Sequence, residues 1–281
     1  MQKSPDKTFS FELFPAKTEK GFENLKAAVN QLNAVAPEFF SVTYGAGGST
    51  QERTFASVAW LQESGIETAP HLSCIGSDRD EILSILNQYK TQGITRLVAL
   101  RGDLPSGVGL GGLGELSYAN ELVALIRQEF ADHFIIEVAA YPEFHPQAIS
   151  AHADLDNFKR KVEAGADSAI TQYFYNPDAY FQFLDDCQKR AIHIPVVPGI
   201  MPITNYVQLA RFSDACGAEI PRWLRRRLEG FGDDLESITD YGREAVTRLC
   251  ERLLAGGAPG LHFYTMNKAR PTLDIWQNLG L

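Results

Sequence analysis

Short apolar segments alternate along the chain with longer segments whose apolar residues recur at every third or fourth position. The short segments span residues 8–15, 38–44, 67–74, 94–100, 134–141, 168–175, 194–200 and 260–265. The longer segments span residues 19–33, 51–64, 78–91, 117–130, 153–164, 177–190, 204–215 and 234–255, and a short helix follows the last strand. Strands that alternate with helices predict a parallel sheet, because helical crossovers join neighbouring parallel strands.

Eight such units predict an α/β fold consisting of one (β/α)8 TIM barrel, with residues 1–281 forming a single domain. A barrel of this kind needs roughly 250 residues, and no Pro/Gly-rich linker is long enough to divide the chain. An open, doubly wound sheet is the alternative. We favour the barrel because polar residues follow nearly every strand, whereas an open sheet gathers its ligands at one switch point.

The net charge of −9 argues against nucleic acid or an anionic membrane as the main partner. No apolar run approaches the ~20 residues that span a bilayer, and residues 1–7 lack the apolar core of a signal peptide. The four cysteines, at positions 74, 187, 216 and 250, are widely spaced and contain no C-x-x-C pair. We therefore expect reduced thiols in a cytoplasmic protein that acts on small molecules, and no zinc site.

Seven of the strand-like segments end in polar residues or glycine. In a barrel of parallel strands the carboxyl ends share one rim, so residues far apart in sequence meet there. That pattern predicts an enzyme whose site lies at this rim.

Glu12 is a carboxylate inside a strand that otherwise contains Phe, Leu and Ser. Both faces of a barrel strand are covered, so the side chain is expected to be buried and to need a partner or a task. A structural ion pair inside the barrel is one explanation. We favour function, because burial favours the protonated form of a carboxyl group and suits it to donate a proton.

Other residues at strand ends have ordinary explanations as well. Asp103 lies in a Gly-Asp-x-Pro sequence that also suits a turn, and Arg101 could form a salt bridge with a neighbour. A buried histidine with a satisfied hydrogen bond would explain His71. Thr43 and Gln172 are neutral hydrogen-bonding groups, and each alone says little.

Two predicted helices carry further candidates. Gln208 and Phe212 are four residues apart and share one helix face, as a surface Gln beside a core Phe would also do. Asn157, Arg160 and Lys161 form a polar, basic cluster on the helix after strand five. Such a cluster is usually a solvated face, but near the rim it could bind phosphate.

Several other kinds of site find little support. The glycine-rich residues 107–114 follow no strand directly and lack the Lys-Ser/Thr of a phosphate-binding loop, so a surface loop is favoured. A metal-dependent hydrolase barrel would carry a His-x-His pair at a strand end, and the sequence contains none. The candidate for a Schiff-base lysine is Lys268, just beyond strand eight.

Seven motifs, in the same order, resemble those of the bacterial methylenetetrahydrofolate reductases. They are FELFP (11–15), SVTYGA (41–46), APHLSC (69–74), ALRGDLP (99–105), AYPE (140–143), ITQ (170–172) and HFYT (262–265). The resemblance covers essentially the whole chain. It implies a barrel that uses FAD and NADH or NADPH to reduce 5,10-methylenetetrahydrofolate to 5-methyltetrahydrofolate, for methionine synthesis, in a homo-oligomer. The end of the chain soon after strand eight implies that the regulatory domain of eukaryotic relatives, and inhibition through it, are absent.

The resemblance also implies roles for individual residues. Glu12 is the expected acid, and Asp103 contacts both pterin and flavin. The other expected substrate contacts are Gln172, Gln208, Phe212 and Lys268. The family that the chain resembles has Arg at the position of Lys268, so a forked donor is replaced by a point charge here. The expected cofactor contacts are Thr43 (to nicotinamide) and, to FAD, Tyr44, Ala46, His71, Arg101, Gly102, Asp103, Tyr118, Ala119, Tyr141, His145, Ala148, Asp154, Asn157, Arg160 and Lys161. A flavin-free reductase of the same fold and a non-catalytic folate-binding barrel remain the alternatives.

Overall fold

The computed structural model of the chain describes residues 7–44, 48–102 and 114–281, with the backbone only for residues 48–50. Within them, nine parallel strand segments form one sheet in the order β7-β6-β5-β4-β3-β2-β1-β9-β8. The segments are β1 (Thr8–Leu13), β2 (Phe39–Val42), β3 (Thr68–Ser73), β4 (Arg96–Leu100), β5 (Ile135–Ala140), β6 (Ser168–Thr171), β7 (Val196–Val197), β8 (Gly199–Ile200) and β9 (Gly260–Tyr264).

The segments β7 and β8 are two halves of one strand, interrupted at Pro198. The first half pairs with β6 and the second with β9. Proline has no N–H to give to a ladder, but the Pro198 carbonyl accepts the His262 N–H at 3.0 Å. The sheet therefore closes on itself as an eight-stranded barrel, and the predicted fold class is confirmed.

Ten helices accompany the strands within the described residues. They are α1 (Glu19–Asn33), α2 (Gly48–Glu63), α3 (Arg79–Thr91), α4 (Ala119–Phe130), α5 (Ala151–Glu163), α6 (Pro177–Lys189), α7 (Tyr206–Cys216), α8 (Arg222–Gly230), α9 (Leu235–Ala255) and α10 (Ala269–Asn278). The helix α8 was not predicted, because only Leu224 and Leu228 are buried in a segment dominated by arginine. The sixth strand, expected to reach residue 175, ends at Thr171.

The alternation of side chains along each strand builds two separate apolar clusters. Residues such as Phe11, Phe40 and Leu72 point outward and pack with the helices in the main core. A second, small cluster fills the middle of the barrel and consists of Phe39, Ala69, Val98 and Ile170. This inner layer divides the barrel into two ends, each of which contains polar residues.

The end near the strand amino termini, hereafter the closed end, contains a network of paired charges. Arg96 donates to Glu137 at 2.5 Å and to Glu38 at 2.6 Å. Its guanidinium lies 4.6 Å from the centroid of the Phe39 ring. The Ser168 hydroxyl also bonds the Glu137 carboxylate. This end of the barrel is thus filled by charged side chains that pair with one another, while Nε of Arg96 has no hydrogen-bond partner among the described residues.

All four cysteines are free thiols. In the part of the chain that the structure describes, no helix has the length and apolar character needed to cross a membrane.

Candidate active site

Glu12 lies inside the opposite end of the barrel, hereafter the mouth, where the strands have their carboxyl ends. Its carboxylate is 3.5 Å from Nε2 of His71 on β3 and 3.7 Å from Nε2 of His262 on β9. All three residues are buried. Neither Nε2 atom has a hydrogen-bond partner among the described residues. Three polar groups therefore face one another in an enclosed space without direct hydrogen bonds.

The two imidazoles differ in how they are held. The Nδ1 atom of His262 lies 2.7 Å from the Ser10 hydroxyl, so its ring orientation is fixed from behind. Burial lowers the pKa of His71 to about 4; the nearby Glu12 carboxylate opposes this effect and His262 adds to it. His71 is consequently neutral at pH 7. A neutral imidazole gives Glu12 no counter-charge, so the ion pair that would make this glutamate purely structural is missing on that side.

Tyr264, the last residue of β9, closes one side of the mouth. Its hydroxyl donates to the Thr171 carbonyl at 2.8 Å, and burial, with Glu12 as a further cause, raises its pKa well above the usual value. A Cβ at Gly199 would lie 2.6 Å from the Tyr264 ring and 2.2 Å from the Thr171 oxygen. Glycine at this position is therefore what lets β8 approach the tyrosine.

The helix α7 follows the strand segment β8 and packs against the chain beyond β6. The Ser213 hydroxyl bonds the Tyr173 hydroxyl at 3.0 Å in a buried contact. Gln208 and Phe212 are both exposed, and 45% of the Phe212 surface is accessible. The explanation of Phe212 as a core residue is therefore wrong. An apolar ring exposed on this helix is available to a ligand.

Arg101 and its neighbours bring three chain segments together at the rim. Arg101 donates to the Ser117 carbonyl at 3.2 Å and to the Gln147 side chain at 2.8 Å. Its guanidinium lies 5.7 Å from the centroid of the exposed Tyr118 ring. Tyr118 is the N-cap of α4, and Ala119 begins that helix. Arg101 thus orders a surface through neutral partners rather than through a salt bridge.

Gly102 adopts a φ of +86°, and a Cβ there would lie 1.8 Å from the Ser73 hydroxyl. Both the backbone conformation and the space require glycine at this point. Glycine at this position therefore lets the chain after β4 pack closely against Ser73 of β3.

The segment between β5 and α5 contributes a second group of predicted residues. The Tyr141 and His145 rings contact edge to face at 4.6 Å. The His145 N–H donates to Asp154 at 3.0 Å, and the Ala148 N–H donates to the His145 carbonyl at 2.9 Å. These contacts fix the conformation of the segment and the positions of its side chains at the rim.

The basic cluster on α5 is divided between the interior and the surface. The ammonium of Lys161 donates to the Ala139 carbonyl at 2.5 Å, and burial lowers its pKa to about 8 while Asp154 opposes this effect. Arg160 is exposed and donates to the Asn157 side chain at 2.9 Å. The explanation of the whole cluster as a solvated face is therefore wrong for Lys161.

The remaining predicted residues belong to other parts of the barrel or lie outside the described residues. Tyr44 interacts with Glu81 of α3, and burial raises its pKa to about 12. Thr43 continues β2 through a hydrogen bond from its N–H to Leu13. Lys268 is an exposed N-cap of α10. The backbone N–H of Gln172 continues the barrel by bonding the Ala140 carbonyl. The predicted residues Ala46 and Asp103 lie outside the described residues, as does most of the glycine-rich segment 107–114.

Two of the residues around Glu12 were not among the predicted site residues. His262 and Ser10 face each other because β1 and β9, the first and last barrel strands, pair in that register. The available signal was parity: Ser10 and Glu12 are two residues apart and so point to the same side of β1.

The residues at the rim fit an anionic, aromatic cofactor such as FAD. Lys161 is a buried ammonium with one described hydrogen bond, and the exposed Arg160 has further donors free. The exposed Tyr118 ring offers a stacking surface. By contrast, no group of three or more His, Cys, Asp or Glu side chains in the described part of the chain is arranged to hold a metal ion.

A large open cavity of about 860 Å³ lies elsewhere, on the outer surface between α8, α9 and α10. Its lining contains Arg243 with Asp240 and Asp274, and Arg248 with Glu244, which form ion pairs with one another. It is remote from the strand ends, and we do not assign the reaction to it.

Comparisons with known proteins identify the family of the chain. The family model described as methylenetetrahydrofolate reductase matches residues 1–280. The 5,10-methylenetetrahydrofolate reductases of Salmonella typhimurium and Escherichia coli are each 41% identical over 273 residues, covering 97% of this chain and 90% of theirs. Methylenetetrahydrofolate reductase (NADH) 1 of Arabidopsis thaliana is 40% identical over 285 residues, which cover 97% of this chain and 48% of its own length.

Among solved structures, a protein from Clostridium thermocellum has the same fold, with a TM-score of 0.68 at 19% identity over 96% of this chain and 93% of its own. That protein is described as binding two copies of 5-methyl-5,6,7,8-tetrahydrofolic acid. On the family match and the identity of these relatives over nearly its full length, the chain belongs to the methylenetetrahydrofolate reductase family.

Proposed function

We propose that this chain reduces 5,10-methylenetetrahydrofolate to 5-methyltetrahydrofolate with NADH or NADPH, through FAD, in a ping-pong sequence. Family membership supports the reaction. The observation in the structure that carries it is the buried Glu12 carboxylate, which faces two imidazoles and receives no hydrogen bond from the described residues. Such a group is costly to keep unless it has a task.

The residues proposed to hold FAD are those that converge at the rim. Arg101, Tyr118 and the segment from Tyr141 to Ala148 offer a cationic group and aromatic faces, and Lys161 with Arg160 offers charge for phosphates. Gly102 is a proposed backbone contact on the resemblance. When bound, FAD accepts a hydride equivalent from the nicotinamide and supplies it to the folate. Asp103, Thr43, Tyr44 and Ala46 are proposed cofactor contacts on the resemblance alone.

The proposed role of Glu12 is to protonate N10 of the folate. Opening the methylene bridge breaks the bond between the bridging carbon and N10, and the departing nitrogen needs a proton. The carbon is then left as an iminium on N5, ready to take a hydride. His262, whose ring is fixed by Ser10 at 2.7 Å, and neutral His71 line the space around the carboxyl group without bonding to it, so its proton stays available to the substrate.

The folate and the nicotinamide are proposed to bind in turn beneath α7. Gln172 can donate to or accept from the pterin, and the exposed Phe212 ring and the Gln208 amide can close over either substrate. Lys268, exposed at the start of α10, is the candidate for a carboxylate of the folate tail, as a single cation.

The first prediction concerns the purified protein itself. It should be yellow and release flavin on denaturation. Mixing with NADH or NADPH without oxygen should bleach the flavin absorbance, and 5,10-methylenetetrahydrofolate should restore it with formation of 5-methyltetrahydrofolate. Colourless protein that still turns over would support a flavin-free reductase. Folate binding without nicotinamide oxidation, even with a quinone as acceptor, would support a non-catalytic barrel.

A second prediction tests the cofactor-binding residues. Replacing Arg160 and Lys161 together with Ala should leave a folded protein that loses flavin during gel filtration, because the phosphates lose their charged donors. The ratio of flavin to protein absorbance measures this. The control is Lys159→Ala on the same helix, which removes a surface lysine paired with Glu163 at 3.1 Å. Full flavin content in the double variant would refute the assignment.

The wider setting follows from the same proposal. We propose that the enzyme works in the cytoplasm as a homo-oligomer and supplies methyl groups for methionine synthesis.

A further inference from the structure

A hydrogen bond connects the segment after β5 with the segment after α7. Oε2 of Glu143 accepts the backbone N–H of Glu219 at 2.7 Å, across 76 positions of sequence. Glu143 follows Tyr141 in the segment proposed to bind FAD, and Glu219 lies three residues beyond the last residue of α7. One side chain therefore joins the proposed cofactor side of the mouth to the proposed substrate side.

Two neighbouring contacts make this connection specific. Gly217, the C-cap of α7, has a φ of +76° and packs against Pro146, so that a Cβ there would lie 3.3 Å from the proline ring. One turn earlier, Ser213 is bonded to Tyr173 at 3.0 Å. The carboxyl-terminal end of α7 is thus held at three points, which we call the clasp: Ser213–Tyr173, Gly217–Pro146 and Glu219–Glu143.

The segment on the cofactor side is strained where the clasp begins. Phe144 has a φ of +71°, a conformation that costs an aromatic residue free energy and persists only when its surroundings impose it. Its two neighbours impose it here, because Glu143 is bonded to Glu219 and the His145 N–H to Asp154. Strain of this kind often marks a functional segment.

We propose that Glu143 is a positioning residue, which holds α7 at the height over the mouth where Phe212 and Gln208 meet the folate. This role rests on the proposed function, since it assigns no new substrate. Phe212 precedes the clasp residue Ser213, so loss of the clasp would let its ring move away from the mouth. Burial, with the Glu219 carboxylate as a further cause, raises the pKa of Glu143 to about 7, in keeping with an enclosed carboxyl group.

The test compares three variants of the full chain. Glu143→Ala removes the acceptor, Glu143→Gln keeps an acceptor of the same shape, and Glu219→Ala keeps the backbone donor and removes a neighbouring carboxylate. Hydrogen–deuterium exchange over residues 206–219 reports the clasp, and calorimetric titration with 5-methyltetrahydrofolate reports the site. We expect faster exchange and about fivefold weaker folate binding for Glu143→Ala alone, the size of one lost hydrogen bond. Flavin content is measured for each variant, and folate affinities are compared on flavin-bound protein only.

Several outcomes would overturn the proposal. Unchanged exchange in Glu143→Ala would show that the bond does not hold α7, and faster exchange with unchanged folate affinity would reduce the clasp to a structural contact. Weakening by Glu143→Gln equal to that by Ala would also count against it. If Glu143→Ala fails to fold, Gly217→Ala breaks the clasp independently and should give the same two effects. Wild-type protein that binds no 5-methyltetrahydrofolate would instead refute the proposed function.

Discussion

Glu137 and Glu12 are both buried inside the barrel, 2% and 7% exposed, yet their surroundings differ completely. Glu137, at the closed end, is bonded by Arg96 at 2.5 Å and by Ser168. Glu12, at the mouth, faces two imidazoles at 3.5 and 3.7 Å and receives no hydrogen bond from the described residues. The apolar layer that contains Phe39 separates them.

The difference shows how the same residue type serves structure at one end and chemistry at the other. A buried charge is tolerated when a partner and hydrogen bonds compensate its loss of hydration, as they do for Glu137. A buried carboxyl group without such partners is tolerated when it is used. The Phe39 ring lies between the two sets, 4.6 Å from the Arg96 guanidinium and 6.2 Å from the His262 ring. The site therefore lies above a layer in which the buried carboxylate already has its counter-charge.

The largest expected effect is on activity at the mouth. Glu12→Gln should still allow NADH or NADPH to bleach the flavin, since that half-reaction needs no proton on folate N10. Reoxidation by 5,10-methylenetetrahydrofolate should slow by on the order of 10²–10⁴, because an amide cannot donate the proton. Stopped-flow absorbance separates the two halves.

The matched control for that experiment is Glu38→Gln, which changes the partly exposed partner of Arg96 at the closed end. It should leave both half-reactions unchanged. Equal slowing of both halves in Glu12→Gln would instead make Glu12 a structural or flavin-positioning residue.

The next largest effect is on stability at the closed end. Arg96→Met leaves the Glu137 carboxylate buried without its cation, and breaking a buried pair in this way typically costs about 3–5 kcal/mol. Urea unfolding should show the loss, while the reoxidation rate per folded, flavin-bound molecule stays as in the wild type. Arg243→Met, which breaks surface pairs of α9, should cost less than about 1 kcal/mol. If Arg96→Met lowered the unfolding free energy no more than Arg243→Met, the buried pair at the closed end would not be the structural element inferred here.

The smallest effect concerns acid stability. The pKa of His71 is lowered from 6.5 in the unfolded chain to about 4 in the fold. Between those two pH values His71 is protonated in the unfolded chain but neutral in the folded chain. The contribution of His71 to stability is therefore fully present above pH 6.5 and is lost as the pH falls toward 4. The difference between the two pKa values corresponds to a loss of on the order of 3 kcal/mol in unfolding free energy between pH 6.5 and pH 4. This is less than the upper range expected for Arg96→Met.

His71→Asn should remove this part of the acid sensitivity, and His193→Asn, at an exposed histidine, should not. Urea midpoints measured at several pH values between 4 and 7 provide the comparison. Parallel pH profiles for wild type and His71→Asn would mean that His71 takes up its proton as readily in the fold as outside it.

Much of this protein follows from the order of its residues. Apolar periodicity predicted eight strand–helix units and hence the barrel, because each amphipathic segment can be buried in few ways. The isolated Glu in β1 predicted a buried carboxylate at the rim. The motifs predicted the family. What periodicity missed was the short helix α8, where only two leucines among arginines are buried.

Tertiary structure alone decided which residues surround Glu12. Barrel closure pairs β1 with β9, and that register brings His262 and Ser10 to the carboxylate across some 250 positions. It also decided which of two buried glutamates has an arginine, since Arg96 reaches Glu137 from the neighbouring strand. Local sequence sets the face on which a side chain lies, but its partner depends on strand register, which only the closed sheet fixes.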